Sequence, residues 1–287
     1  GRIRQSIQNC KYVLEYDPCL RGAVCRNEMT CQIDIKKKVP WKRRGVQMTD
    51  TDMNNLSLYL EKNYGLTSDR VIAKAIDIVA NDNSFHPIID LLESLKWDGR
   101  PRIAGMLTHF FGAENLEYSG EIMKMHMLAA ISRLYEPGKK YDIMLCLVGG
   151  QGTGKSTFFK YLAIRDEWFT DDVKRLDDKK VYEYLQGHWI VEMSEMNAVA
   201  NAKSIEETKS FLSRQKDTYR IPYERRAEDR YRQCVFCGTS NDLAFLPFDR
   251  TGNRRFGPVK VCPEKAETTI YRDEKGSREY IIQAWAE

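Results

Sequence analysis

The spacing of apolar positions changes part-way along the chain. From residue 48 to residue 138 they recur every three or four residues, the period of a helix with one buried face. In TDTDMNNLSLYLEKNYG, Met53, Leu56, Leu60 and Tyr64 fall on one face, Thr51 or Asp52 is placed to cap the start, and Gly65 to stop the end. A second helix follows Ser68, with Ile72, Ile76 and Val79 aligned. Further helices are predicted over 87–96, 103–111 and 116–134, the last closed by EPGKK. From residue 141 the apolar residues gather into short runs instead: DIMLCLV, HWIVEM, CVFCGTS and FGPVKVC. Runs of that length, separated by helix-like stretches, predict an α/β fold around a mostly parallel sheet. Ahead of residue 48, VLEYD and CQIDI have the length of strands. Three segments follow: a small element with a basic linker (1–47), an all-helical domain (48–139) and a strand-bearing domain (140–287).

Composition narrows the class without identifying it. Of the 287 residues, 42% are apolar and 30% charged, which excludes a collagenous, mucin-like or wholly disordered chain. No run approaches 18 uncharged apolar residues, and the start lacks a long apolar segment. The expectation is a cytoplasmic protein with no membrane association and no secretory signal. A first residue of Gly rather than Met suggests an excised or processed start. Net charge is only +4, so an anionic partner must be held by local patches. Of the eight cysteines, only Cys234 and Cys237 have zinc-like spacing, and they sit in an apolar run; all are read as small buried thiols.

The strongest chemical signal lies between DIMLCLV and STFFKYLAI. Gly149, Gly150, Gln151, Gly152, Thr153, Gly154, Lys155 and Ser156, followed by Thr157, match G-x-x-x-x-G-K-[ST] in a strand–turn–helix setting. The glycines let backbone N–H groups converge on phosphate oxygens, and the following helix adds positive potential at its N-terminus. Lys155 is placed to reach the β- and γ-phosphates of ATP, and Ser156 to ligate Mg²⁺. A P-loop needs a carboxylate partner, and HWIVEMSEM supplies Glu192 and Glu195 where a buried strand ends. Either could hold the metal; Glu195 is the preferred catalytic base, since Glu192 can fall within the strand. Asn241 closes GTSN and is placed to orient a lytic water. Arg254 and Arg255, after a Gly-Asn turn, suit an arginine finger offered to a neighbouring subunit, with a slight preference for Arg255.

Two segments combine cations with aromatics. Residues 36–44 (KKKVPWKRR) carry six basic residues and no acid and read first as a solvated linker. Residues 209–232 carry eight Lys or Arg against four acids, interleaved with Tyr219, Tyr223 and Tyr231. Phosphate-binding cations beside stacking rings suit single-stranded nucleic acid, with Lys209, Arg220, Tyr223, Arg225 and Arg226 as the candidate contacts. Pro222 sets residues 220–226 up as a hairpin tip.

In this order, HPIIDLLESLKWDGRPR, PGKKYDIMLCLVGGQGTGKST, LQGHWIVEMSEM, KSFLSRQKDTYRIPYERR, FCGTSN and TGNRRFGPV resemble the virulence-associated E family of phages and mobile genetic islands. The resemblance implies a P-loop NTPase core of the AAA+-like, superfamily 3 helicase type, behind a helical oligomerisation domain. It implies a homo-oligomeric ring, a hexamer, that translocates on single-stranded or forked DNA in the host bacterium. By position, 149–157 is then Walker A, Glu192 and Glu195 the Walker B acids, Asn241 the first sensor and Arg254 or Arg255 the finger. The two glutamates stand three apart rather than adjacent, and the chain ends where the family continues into a helical lid. Two rival functions remain open in the sequence: an ATP-switched DNA-binding initiator or loader that does not unwind, and a monomeric small-molecule kinase.

Overall fold

In a computed structural model of the chain, residues 3–173, 181–194, 202–219, 228–242 and 253–287 are described. The chain divides into two compact units, Gly1–Asp90 and Leu91–Glu287, with the division inside helix α4 (Pro87–Ser94).

The first unit contains α1 (Ile7–Tyr16), a hairpin of β1 (Val24–Asn27) and β2 (Gln32–Ile35), α2 (Asp50–Tyr64) and α3 (Asp69–Asp82). VLEYD is therefore not a strand. Cys10 and Leu14, four residues apart, are both buried in the core with Leu56, Leu60, Ile72 and Ile76, and the Ser6 hydroxyl caps the helix from the Asn9 N–H. Helix α1 and strand β1 both pack on α3. The small N-terminal element thus shares its core with the first two helices of 48–139, whereas the later helices of that segment pack with the sheet. The unit boundary follows this packing rather than the boundaries at 47 and 139.

Helix α2 is capped two or three residues earlier than the Thr51 or Asp52 that the sequence offers. Thr49 is the N-cap: its hydroxyl accepts from the Asp52 N–H at 3.3 Å, and the Asp52 carboxylate accepts the Thr49 N–H at 3.0 Å. Asp52 is buried and also accepts from Trp41 Nε1 (2.9 Å) and Arg43 Nε (2.8 Å). The Arg43 fork further reaches the carbonyls of Ile35, Val46 and Gln47. Part of the basic segment is therefore structural.

Burial alone would raise the Asp52 pKa, but the donors from Arg43, Trp41 and Thr49 outweigh it and hold the carboxyl below its ordinary 3.8. A depressed folded-state pKa contributes stability above the unfolded value, lost as pH falls through the folded one. Asp52→Asn should cost about 1–3 kcal/mol at neutral pH, and the deficit should shrink near about pH 2.5. Thermal melts of both proteins at the two pH values check this; a pH-independent deficit would show that the charge contributes nothing.

The second unit is mixed α/β. Helices α5 (Met106–Phe111) and α6 (Leu116–Tyr135) precede β3 (Met144–Val148) and α7 (Lys155–Leu162). Then come β4 (Phe169–Thr170), α8 (Val181–Leu185), β5 (Ile190–Met193), α9 (Ala202–Leu212), the antiparallel pair β6 (Lys216–Tyr219) and β7 (Glu228–Tyr231), β8 (Val235–Ser240), β9 (Phe256–Lys260) and α10 (Glu274–Ala286). Five strands form one parallel sheet in the order β4-β5-β8-β3-β9. The four expected strands are all in it; β4, two residues long, is too short to show in the periodicity.

Alternation along the strands decides what faces what. Met144, Cys146 and Val148 of β3, Val191 and Met193 of β5, and Phe236 of β8 join one core layer with Val181 of α8 and Phe211 and Leu212 of α9. The intervening residues turn to the opposite face, which α7 covers. There Trp285 of α10 packs on Trp189 at 4.5 Å between ring centroids and donates to the Leu162 carbonyl of α7. Among the described residues no helix is long and apolar enough to cross a membrane. All eight cysteines are unpaired; six are buried, but Cys19 is exposed and Cys31 half-buried, contrary to the reading of all eight as buried thiols.

Candidate functional site

The glycine-rich loop leaves the sheet between two neighbours of β3. The Gly149 N–H donates to the Ser240 carbonyl at 3.1 Å, and Val261 N–H donates to the Val148 carbonyl at 2.7 Å. Gly154 must be glycine on two counts: its φ is +86°, and a Cβ there would run into the Ile270 side chain. Lys155 then opens α7. Only 8% exposed, it turns its ammonium back into the loop and donates to the Gly149 carbonyl at 2.8 Å and the Gly150 carbonyl at 2.7 Å. Burial lowers its pKa, and Glu192 works against that shift.

Pleating brings the acid to the loop. Val191 and Met193 face α8 and α9, so Glu192 faces α7. In β8, Cys237 pairs in register with Glu192, and Thr239, two residues on, shares its face. Both Ser156 Oγ and Thr239 Oγ1 donate to Glu192 Oε1 at 2.7 Å. Glu192 is fully buried, and its Oε2 has no hydrogen-bond partner among the described residues. Burial raises its pKa; the Ser156, Thr239 and Ser194 hydroxyls hold it back.

Loop, sheet edge and C-terminal segment together line a cleft of about 310 Å³, bounded by 151–157, Ser194, Thr239, Ser240, Asn241 and Tyr271. A helix N-terminus and a buried lysine make it suited to a polyanion. Paired with a buried carboxylate and two hydroxyls, the same cleft offers hard oxygen ligands to a divalent cation.

The profile of the virulence-associated protein E-like domain matches residues 92–287, more than half of the chain. The chain belongs to the virulence-associated protein E-like family. The match begins one residue after the second compact unit does. The whole virulence-associated E-like chain is similar in fold to "The apo structure of NrS-1 C terminal region (305-718)", with a TM-score of 0.58 and 15% identity over 99% of this chain and 70% of that one. "The A form apo structure of NrS-1 C terminal region-CTR" gives 0.56 and 16% over 92% of this chain and 65% of that one. Comparison with curated proteins returns no match.

The remaining candidate residues of this virulence-associated E-like chain are distributed unevenly. Asn241 is exposed and lines the cleft. Arg254 is exposed. Arg255 is half-buried, donates from Nε to Ser213 Oγ at 2.9 Å and lies 3.5 Å from Asp142, so its guanidinium is engaged within its own chain. Lys209 does not present itself as a DNA contact: it is 6% exposed on α9, and its ammonium meets Glu206 at 2.7 Å. Glu195, Arg220, Tyr223, Arg225 and Arg226 lie outside the described residues. Three site residues escaped the sequence reading. Thr239 lies in a strand that the sequence predicts, but only the strand order sets it beside Glu192. Ser194 adjoins the acid strand. Tyr271, whose hydroxyl lies 3.0 Å from Thr157 Oγ1, had no signal in the sequence.

Proposed function

We propose that this virulence-associated E-like chain is the ATP-hydrolysing motor of a P-loop, AAA+-like ring helicase or translocase. It would act on DNA during replication of a phage or mobile element. The observation that carries the reading is the Ser156–Glu192–Thr239 cluster. Residues 36 and 47 positions from the acid meet one oxygen of a buried carboxylate, directly beside the loop that holds Lys155.

Each residue then has a role set by its place. The loop N–H groups and α7 bind the phosphates, and Lys155 neutralises charge on the β- and γ-phosphates. Ser156 and Glu192, whose Oε2 has no hydrogen-bond partner among the described residues, are the fitting ligands for Mg²⁺. When bound, the ion neutralises charge developing on the phosphoryl oxygens. β8 lies between β3 and β5, which sets Asn241 at the cleft, where it orients the lytic water. Glu195 is assigned the base role. Arg254, exposed, is the better candidate for a finger in trans, because Arg255 is tied to Ser213 and Asp142. The β6–β7 pair frames residues 220–227, whose Arg220, Tyr223, Arg225 and Arg226 are assigned to DNA.

Steady-state hydrolysis of MgATP with and without single-stranded DNA, alongside sedimentation with a non-hydrolysable analogue, tests the proposal. Hydrolysis that needs Mg²⁺, rises with DNA and accompanies assembly beyond a monomer is expected. Glu192→Gln should lower turnover about 10²-fold or more, the scale of losing one preorganised electrostatic group. Turnover indifferent to DNA by a strict monomer would favour the kinase; tight ATP and DNA binding without turnover would favour the loader.

A further inference from the structure

Tyr271 belongs to the cleft, but the phosphate chemistry leaves it without a role. The residue before it, Ile270, is buried against Gly154 of the loop. This seats the Tyr271 ring edge against the loop, with Cε2 3.3 Å from where a Cβ of residue 154 would stand. The hydroxyl is 3.0 Å from Thr157 Oγ1, yet 58% of the residue stays exposed. An aromatic ring is thus fixed at one edge and open over most of its surface, at the mouth of a polar cleft.

The cleft has two chemically different ends. Ser156 points to Glu192 and Thr239, with Ser194 and Asn241 nearby: this end is rich in oxygen ligands. Thr157, one residue on, is rotated by about 100° around the axis of α7, and it points to Tyr271. A nucleoside triphosphate is a linear molecule with its metal-binding phosphates at one end and its base at the other. With the terminal phosphates at the Glu192 end, the α-phosphate comes to Thr157, and ribose and base follow toward Tyr271.

We propose that Tyr271 is the nucleobase platform of the site, the ring on which the base of a bound nucleoside triphosphate stacks. This inference rests on the proposed phosphate site. A ring face responds to the extent of a π-system rather than to the groups on its edge. Every base offers such a face, so Tyr271 holds the base by its plane and reads none of its edge groups.

The test is calorimetric titration of the full chain with MgATP and, separately, with magnesium tripolyphosphate, which has the phosphates but no base. Parent, Tyr271→Ala, Tyr271→Leu and Tyr271→Phe are compared. Tyr271→Ala and Tyr271→Leu should each weaken ATP about tenfold or more, the scale of one lost base–aromatic stack, while tripolyphosphate stays within about twofold of parent. Tyr271→Phe should keep ATP close to parent. Equal weakening of both ligands by Tyr271→Leu, or of neither, overturns the platform. So does loss of ATP affinity in Tyr271→Phe, since the Thr157 hydrogen bond would then carry the effect. Failure of the underlying phosphate site looks different: the parent itself would bind neither ATP nor tripolyphosphate.

Discussion

Lys155→Ala should reduce ATP hydrolysis by at least about 10²–10³-fold, the largest effect expected from any single substitution in this protein. Phosphoryl transfer asks little covalent chemistry of a protein and much electrostatic positioning, so a fixed cation beside the transferring group matters more than most groups. Lys155 is already fixed. Its ammonium is held by two loop carbonyls at 2.7–2.8 Å and is 8% exposed, so little side-chain freedom remains to be lost on binding phosphate. Lys155→Arg should not rescue, because a planar guanidinium does not fit a seat shaped for a compact ammonium. Single-turnover hydrolysis measures the effect. A variant as fast as parent would remove the loop from the mechanism.

The second large effect concerns stability. Arg232 and Asp217 form a bidentate pair at 2.6 and 2.9 Å, with side chains 2% and 5% exposed. Arg232 also donates to the Phe211 carbonyl at 2.6 Å and stacks 4.3 Å above the Phe211 ring. The pair locks the β6–β7 hairpin to the end of α9. Asp217→Ala leaves a guanidinium buried without its counter-charge and should destabilise by about 3–5 kcal/mol. The exposed pair Lys216–Asp229 on the same hairpin is the control, and breaking it should cost about 0–1 kcal/mol. Urea unfolding of Asp217→Ala and Asp229→Ala compares them directly. Equal small losses would mean that the hairpin is held by something other than its buried pair.

The errors in the sequence reading share a cause. VLEYD has strand-like composition, but Cys10 and Leu14 are buried against α3, more than 50 residues away, and the helical period follows from that contact. Thr49 could have been read as a cap from its partner three residues on; Asp52 there mimics the Glu of a capping box. Sequence shows a cation but not its neighbours: Lys209 meets Glu206, and Arg255 meets Ser213 and Asp142. The basic segment 36–44 was read as linker, yet its Arg43 is a strut on Asp52.

The sequence by itself determined the strand–loop–helix around the glycine-rich loop, the mostly parallel sheet and the placing of Glu192 in a buried strand. These depend on local quantities: glycines that tolerate positive φ, a period of two in buried strands, and a lysine at the start of a helix. It also carried the family, since six short motifs in fixed order are read without any coordinates. Only the tertiary structure decided which side chains complete the cleft. The order β4-β5-β8-β3-β9 inserts β8 between the loop strand and the acid strand, and this brings Thr239 to Glu192 and Asn241 to the cleft. Tyr271 reaches Thr157 from 114 residues away because Ile270 packs on Gly154. Such contacts arise from how separate elements share a core, and no local spacing encodes them.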